Sequence, residues 1–246
     1  MKTPSQLLFE ELAIDLDKVS FEQLTNYVAV EYFLTVEDEP PSDATNLEKV
    51  NRYLESFYHL CEVEDWERAS QITFFQLNPS NPNQEIHNYL FDRGYPQEVV
   101  DICQPLLGKL SQEKEAILIS SLSHAYNQLG KYKKVINLQI QLMKVSHQLQ
   151  KLDLEAEVLS NLGNVYQSLG QYQTAINYHQ EVIKIASEIK SIDQFSVGLN
   201  NLANSYFYLQ EYEDALQLYQ QYLNLGRELN NKEKESGALL GIANCY

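Results

Sequence analysis

Four tyrosines recur at intervals of 40 residues, at Tyr126, Tyr166, Tyr206 and Tyr246. The segments around the first three align without a gap: ISSLSHAYNQLGKYKKVINL, LSNLGNVYQSLGQYQTAINY and LNNLANSYFYLQEYEDALQL. A fourth copy, LLGIANCY, begins at Leu239 and reaches the last residue. Self-similarity at a fixed period means that one supersecondary unit is stacked on copies of itself. Within each copy the apolar residues fall three to four apart, as in VINLQIQLMKV and INYHQEVIKIA. That is the spacing of an amphipathic helix, and no stretch alternates as a strand does. Each copy therefore predicts a first helix, a tight turn, an aromatic (Tyr132, Tyr172 or Tyr212) and a longer second helix. Gly130 and Gly170 stand where the first helix must end, and glycine accepts a left-handed cap there at little cost. Gln210 takes that place in the third copy.

The second copy reads Leu159, Leu162, Gly163, Tyr166, Gly170, Tyr172 and Ala175; the third reads Leu199, Leu202, Ala203, Tyr206, Tyr212, Ala215 and Tyr219. Small residues at Gly163, Ala203, Ala175 and Ala215 let two helices approach closely, and tyrosines fill the space between neighbours. This pattern resembles the tetratricopeptide repeat family. The first copy departs from it, with Ser123 and Val135 at the small positions, which implies looser or shifted packing. The common repeat is about 34 residues long. A 40-residue period is similar to the subclass found in kinesin light chain, spindle-orientation adaptors and many bacterial signalling proteins.

The resemblance implies an all-α, right-handed α-solenoid of antiparallel helix pairs. Residues 114–246 would form three regular repeats and the first helix of a fourth. Two degenerate pairs are expected over 43–113. The first is NLEKVNRYLESFYHLCE, opened by a capping box at Thr45 and Glu48, followed by VEDWERASQITFFQL; the second is NYLFDRGYPQEVVDICQPLL. Pro96 fits a first helical turn, and Pro105 must shorten its helix. Residues 1–42 are expected to form a helical cap, broken near Asp17 to Ser20, with a second capping box at Ser20 and Gln23. The prolines of EDEPPSDA and LNPSNPNQ mark two loops. Half a repeat with an apolar end is a poor terminus for a solenoid, so the sequence reads as part of a longer protein with a downstream effector domain.

Solenoids bind partners on the surface lined by first helices. The family pattern places His124 and Asn127, then Asn164 and Gln167, then Asn200, Asn204, Phe207 and Tyr208, then Asn244 on that surface, with Asn161 and Asn201 beside them. A carboxamide offers both a donor and an acceptor, which suits the backbone of an extended peptide. The alternative is that these asparagines bond neighbouring helices and that Phe207 and Tyr208 pack between repeats. The expected surface holds no Lys or Arg, so a neutral or basic protein or peptide is a better partner than an acidic tail.

The composition excludes other classes. The chain has 34 acidic against 18 basic residues, a net charge of −16. That argues against a sequence-independent grip on nucleic acid or on an anionic membrane. No apolar run has membrane-spanning length and the N-terminus has no cleavable signal, so the expected compartment is the cytoplasm. Cys61, Cys103 and Cys245 form no framework of disulfides or zinc ligands, and Cys61 and Cys103 read as buried small hydrophobes. No phosphate-binding, dinucleotide or metalloprotease motif is present, and the five histidines form no close ligand pair, so no cofactor is expected and no enzyme. His147 and His179 read as partly solvated or inter-repeat residues. Glu10–Glu11 and Glu37–Asp38–Glu39 read as solvated faces or loops. Two alternatives stay open: a sensory segment of a larger signalling protein, and a peptide-regulated phosphatase acting on response regulators. The charge is uneven. Residues 1–118 carry 22 acidic and 8 basic residues, and residues 119–246 carry 12 and 10. The acidic half is a solubilising face or a contact for a basic partner.

Overall fold

The structure is a computed structural model that describes residues 2–36, 40–41, 43–78 and 84–246. Among them it contains thirteen α-helices and two 3₁₀ turns, and no strand beyond a single bridge between Gln76 and Glu85. The architecture is all-α, built from consecutive antiparallel helix pairs. The chain divides into two compact units, 1–131 and 132–246.

The first unit holds α1 (Pro4–Leu12), α2 (Phe21–Thr35), α3 (Asn46–Glu62), α4 (Trp66–Thr73), α5 (Ile86–Asp92), α6 (Pro96–Cys103) and α7 (Gln112–Gln128). The capping box at Thr45 and Glu48 forms in both directions. That at Ser20 and Gln23 does not: the Ser20 hydroxyl donates to Gln23 Oε1 and leaves the backbone uncapped. A capping box that the sequence reading passed over opens α1, between Thr3 and Gln6. Pro96 occupies the first turn of α6, and at Pro105 the chain tightens into a 3₁₀ turn. Glu37–Asp38–Glu39, Ser42 and residues 79–83, which hold much of the two proline-marked loops, lie outside the described residues.

Polar clamps tie this unit together. Arg68 Nε donates to the carbonyl of Leu12 at 2.6 Å, and its other nitrogens reach the carbonyl of Ala13 and the carboxylate of Asp65. The hydroxyl of Tyr27 donates to the same carboxylate at 2.7 Å. Burial and that anion push the Tyr27 hydroxyl up to about 12. Burial alone would raise Asp65, but the hydrogen bonds from Arg68 and Tyr27 hold it below the usual carboxylate range. The C-terminal carbonyls of α1, which no helix bond can satisfy, thus find a guanidinium from α4.

The second unit is regular: α8 (Tyr132–Leu149), α9 (Leu152–Ser168), α10 (Tyr172–Glu188), α11 (Ile192–Tyr208), α12 (Tyr212–Glu228) and α13 (Lys232–Asn244). The backbone enters the left-handed region once every 20 residues, at Gly130, Gln150, Gly170, Lys190, Gln210 and Asn230. After each, an amide reaches back over the last turn, as from Gln171 to the carbonyl of Tyr166 at 2.8 Å and from Ser191 to that of Ala186 at 2.9 Å. These are Schellman closures, and they convert a 17-residue helix into a 20-residue half repeat. The two glycines and, by alignment, Gln210 were legible in the sequence; the caps at Gln150, Lys190 and Asn230 were not.

Between the helices the small positions do their expected work. A Cβ on Gly163 would fall 2.3 Å from the His179 ring, and one on Gly241 would fall 2.4 Å from the Tyr219 ring. His179 is therefore an interhelix residue and is not solvated at all. Gln139, His179 and Tyr219 occupy one register position in successive second helices, and all three are buried. Neither imidazole nitrogen of His179 has a partner, and burial pushes its pKa down to about 4. Tyr219 differs, because its hydroxyl donates to Asn204.

Candidate functional site

The first helices of the second unit, α9, α11 and α13, bring matching side chains to matching positions because their lengths and turns repeat. Asn164 and Asn204 are half-buried and Asn244 is exposed, each one period apart. Asn204 Oδ1 is already taken by the hydroxyl of Tyr219 at 2.5 Å. Gln167 Oε1 accepts from the hydroxyl of Ser205 at 3.4 Å, which links α9 to α11. Asn164, Asn200, Asn201 and Asn244 make no side-chain hydrogen bond among the described residues. On α7, in the first unit, His124 and Asn127 are exposed, and the His124 ring lies 5.8 Å from that of Phe91.

The two candidate aromatics at the end of α11, Phe207 and Tyr208, are engaged. Tyr208 stacks on Tyr172 at 5.3 Å and an interplanar angle of 13°, while its other face keeps it half exposed. Phe207 packs against Tyr208, Tyr212 and the core built on Ala203, Ala215 and Tyr219.

One cavity of about 230 Å³ opens between α9 and α11. Ala156, Glu157, Ser160 and Asn161 line it from α9, and Asp193, Gln194 and Val197 from α11, with Val182 of α10 behind. Asn161 Nδ2 and Gln194 Oε1 are both out of reach of water and both lack a partner. Gln194 is held by its other end, where Nε2 donates to the carbonyl of Asp153 at 2.8 Å. Asp193 lies 3.7 Å from Lys234 Nζ. Of these residues Ser160 and Asn161 are placed by the family pattern on or beside the expected partner-binding surface. Gln194 was missed because its register equivalents are Leu154 and Lys234, so periodicity offered no signal.

Groups that could carry other chemistry are placed without convergence. His147 is exposed with Glu155 at 3.5 Å, and Glu10 pairs with Lys2. Cys103 is fully buried and burial pushes its thiol up; burial also pushes Cys61 up to about 12, with the nearby Glu62 adding to the effect. Among the described residues no group of histidine, cysteine and carboxylate side chains could hold a metal ion, and no helix is long and apolar enough to cross a membrane.

Family models described as tetratricopeptide repeat match residues 97–188 and 198–233. No curated protein matches the chain. Among solved structures, the apo form of RapI is similar at a TM-score of 0.64 and 14% identity, over 89% of this chain and 75% of that one. A kinesin-light-chain-type protein of Podosopora anserina with nearly identical TPR-like repeats is similar at 0.52 and 16%, over 77% of this chain and 100% of that one. At such identities the likeness is one of fold.

Proposed function

The chain belongs to the tetratricopeptide repeat family, whose repeats are scaffolds for protein–protein contact, and from that premise we propose that the first helices of its regular repeats bind an extended peptide of a partner protein. The supporting observation is the row of carboxamides at Asn164, Asn204 and Asn244, with Gln167, Asn200 and Asn201 around it. Carboxamides in register can pair with successive amides of a peptide backbone whatever its sequence. None of these positions is cationic, which favours a neutral or basic segment over an acidic one. His124 and Asn127 hold the same register positions on α7, in the first unit.

The test is peptide binding by the full chain and by the variant Asn164→Ala with Asn204→Ala. Two lost backbone contacts should weaken binding by about tenfold or more. Unchanged affinity rejects this assignment.

The function is scaffolding without catalysis, either alone or as the regulatory part of a larger signalling protein. Phosphate release from a phosphorylated response regulator, above that of a control lacking the chain, would reject the non-catalytic reading. The acidic first half gives a basic partner a second contact. Binding that is confined to residues 119–246 and indifferent to salt would remove that contact.

A further inference from the structure

We infer that the open face of Tyr208 is a stacking platform for a guanidinium, the side chain of an arginine in the bound peptide. The inference deepens the peptide-binding reading and rests on it for the source of that arginine.

Tyr208 ends α11 one helical turn beyond Asn204, on the same side of the helix as that member of the carboxamide row. Tyr172, the first residue of α10, stacks on it at 5.3 Å and 13°. Phe207 stands edge-on to it at 5.6 Å and meets Tyr212 at 5.7 Å. These contacts hold the plane of the Tyr208 ring in one orientation. Half of Tyr208 nevertheless stays exposed, more than the rim that a ring covered on both faces would keep. The open face is thus the end of a stack of flat groups, and another flat group can continue it.

Charge selects among flat groups. The face of an aromatic ring is its negative side, and a cation above it is attracted. Residues 152–183 and 191–226, which hold α9, α11 and most of α10 and α12, contain eight acidic residues and no Lys or Arg. One of the eight, Glu211, lies between Tyr208 and Tyr212 in the chain; it is exposed at the N-cap of α12 and its side chain makes no cap bond. A guanidinium is flat, permanently charged and weakly hydrated, so it can lie on Tyr208 and turn its edge to a carboxylate. An ammonium is compact and strongly hydrated, and it cannot continue the stack. A carboxylate meets the negative face of the ring and a surface of its own sign. A proline or aliphatic side chain gains the apolar contact alone.

The experiment is a titration of the isotope-labelled full chain, followed by NMR, with the peptide N-acetyl-Gly-Gly-Arg-Gly-Gly-amide. A second titration uses its citrulline counterpart, which keeps the flat group and lacks the charge. The expected result is a saturable shift of the Tyr208 and Tyr172 ring signals with the arginine peptide. The citrulline peptide should bind about threefold to thirtyfold more weakly. Tyr208→Phe keeps the ring and should keep that preference, whereas Tyr208→Leu should remove it with the helical circular dichroism retained. Glu211→Gln, at an exposed position, should reduce the preference by about twofold to fivefold and serves if the leucine variant fails to fold. No shift with the arginine peptide, equal binding of the two peptides, or a preference that survives the leucine variant or its substitute undiminished overturns the platform. Peptides selected from a random library separate the two readings. If they depend on Asn164 and Asn204 but show no enrichment of Arg at any position, the platform falls and the peptide-binding face stands. If the arginine peptide binds with the stated preference and selected peptides ignore Asn164 and Asn204, the platform stands and the face falls.

Discussion

The two units solve the same problem by different means. In residues 132–246 there are six helices of 13 to 18 residues; the first five end in left-handed caps at a constant interval, and the helices pack through small positions such as Gly163, Ala175, Ala203 and Ala215. In residues 1–131 four of seven helices have nine residues or fewer, and the contacts are individual: Arg68 on the carbonyls of α1, Tyr27 on Asp65, Arg52 on Ser5. A regular repeat needs no unique polar contact, because each copy buries the face of the next. Where the helices shorten, less apolar surface is covered per element, and directed hydrogen bonds to helix ends take over part of the task.

That contrast can be broken at its strongest point first. Gly163→Leu forces a side chain into the space of the buried His179 ring and should cost the second unit about 3 kcal/mol or more in thermal unfolding. If it is tolerated at wild-type stability, close packing is not what holds the regular half. Acid should act through the same contact. His179 is neutral when folded, with a pKa near 4 against 6.5 unfolded, so its stability contribution is complete above about pH 6.5. It is lost as pH falls toward 4, by on the order of 3 kcal/mol. His179→Leu should flatten that slope, and a variant that keeps the full slope would assign it elsewhere. His87, also buried with its pKa lowered by burial, adds a slope of the same sign in the first unit, which hydrogen exchange resolves by segment.

The clamp of the first unit comes next. Arg68→Ala leaves the carbonyls of Leu12 and Ala13 and the Asp65 carboxylate short of a partner and should cost about 2 kcal/mol. Faster amide exchange should be confined to α1, α2 and α4. Loss spread evenly over the chain would deny that the clamp is local. The smallest effect is at the caps. Gln210 holds φ +64°, and Gln210→Gly should stabilise by about 0.5–1 kcal/mol, while Gly170→Ala should destabilise by a similar amount. Equal and opposite shifts in the urea midpoint would show that the caps are interchangeable between copies.

The period, the small positions, the glycine caps and the start of α3 at Thr45 were all legible as residue types at fixed spacings. So was the family. A residue's role is not legible locally where it depends on a neighbour far away in the chain. Ser20 looks like Thr45 in sequence, yet only Thr45 caps its helix through a side chain. His179 reads from the sequence as either partly solvated or inter-repeat, and only the approach of Gly163 decides that it is enclosed. Phe207 and Tyr208 gave no sign of their ring partners, Tyr212 tilted against the first and Tyr172 stacked on the second.

The sequence by itself determined the helix pairs and their 40-residue register, because turn chemistry and apolar spacing act within a few residues. Only the tertiary structure decided which carboxamides are spent on contacts inside the protein. Asn204 is tied by Tyr219, and Asn161 and Gln194, 33 positions apart, come to line one cavity. Hydrogen-bond satisfaction is a property of what folding brings together, and no local spacing encodes it.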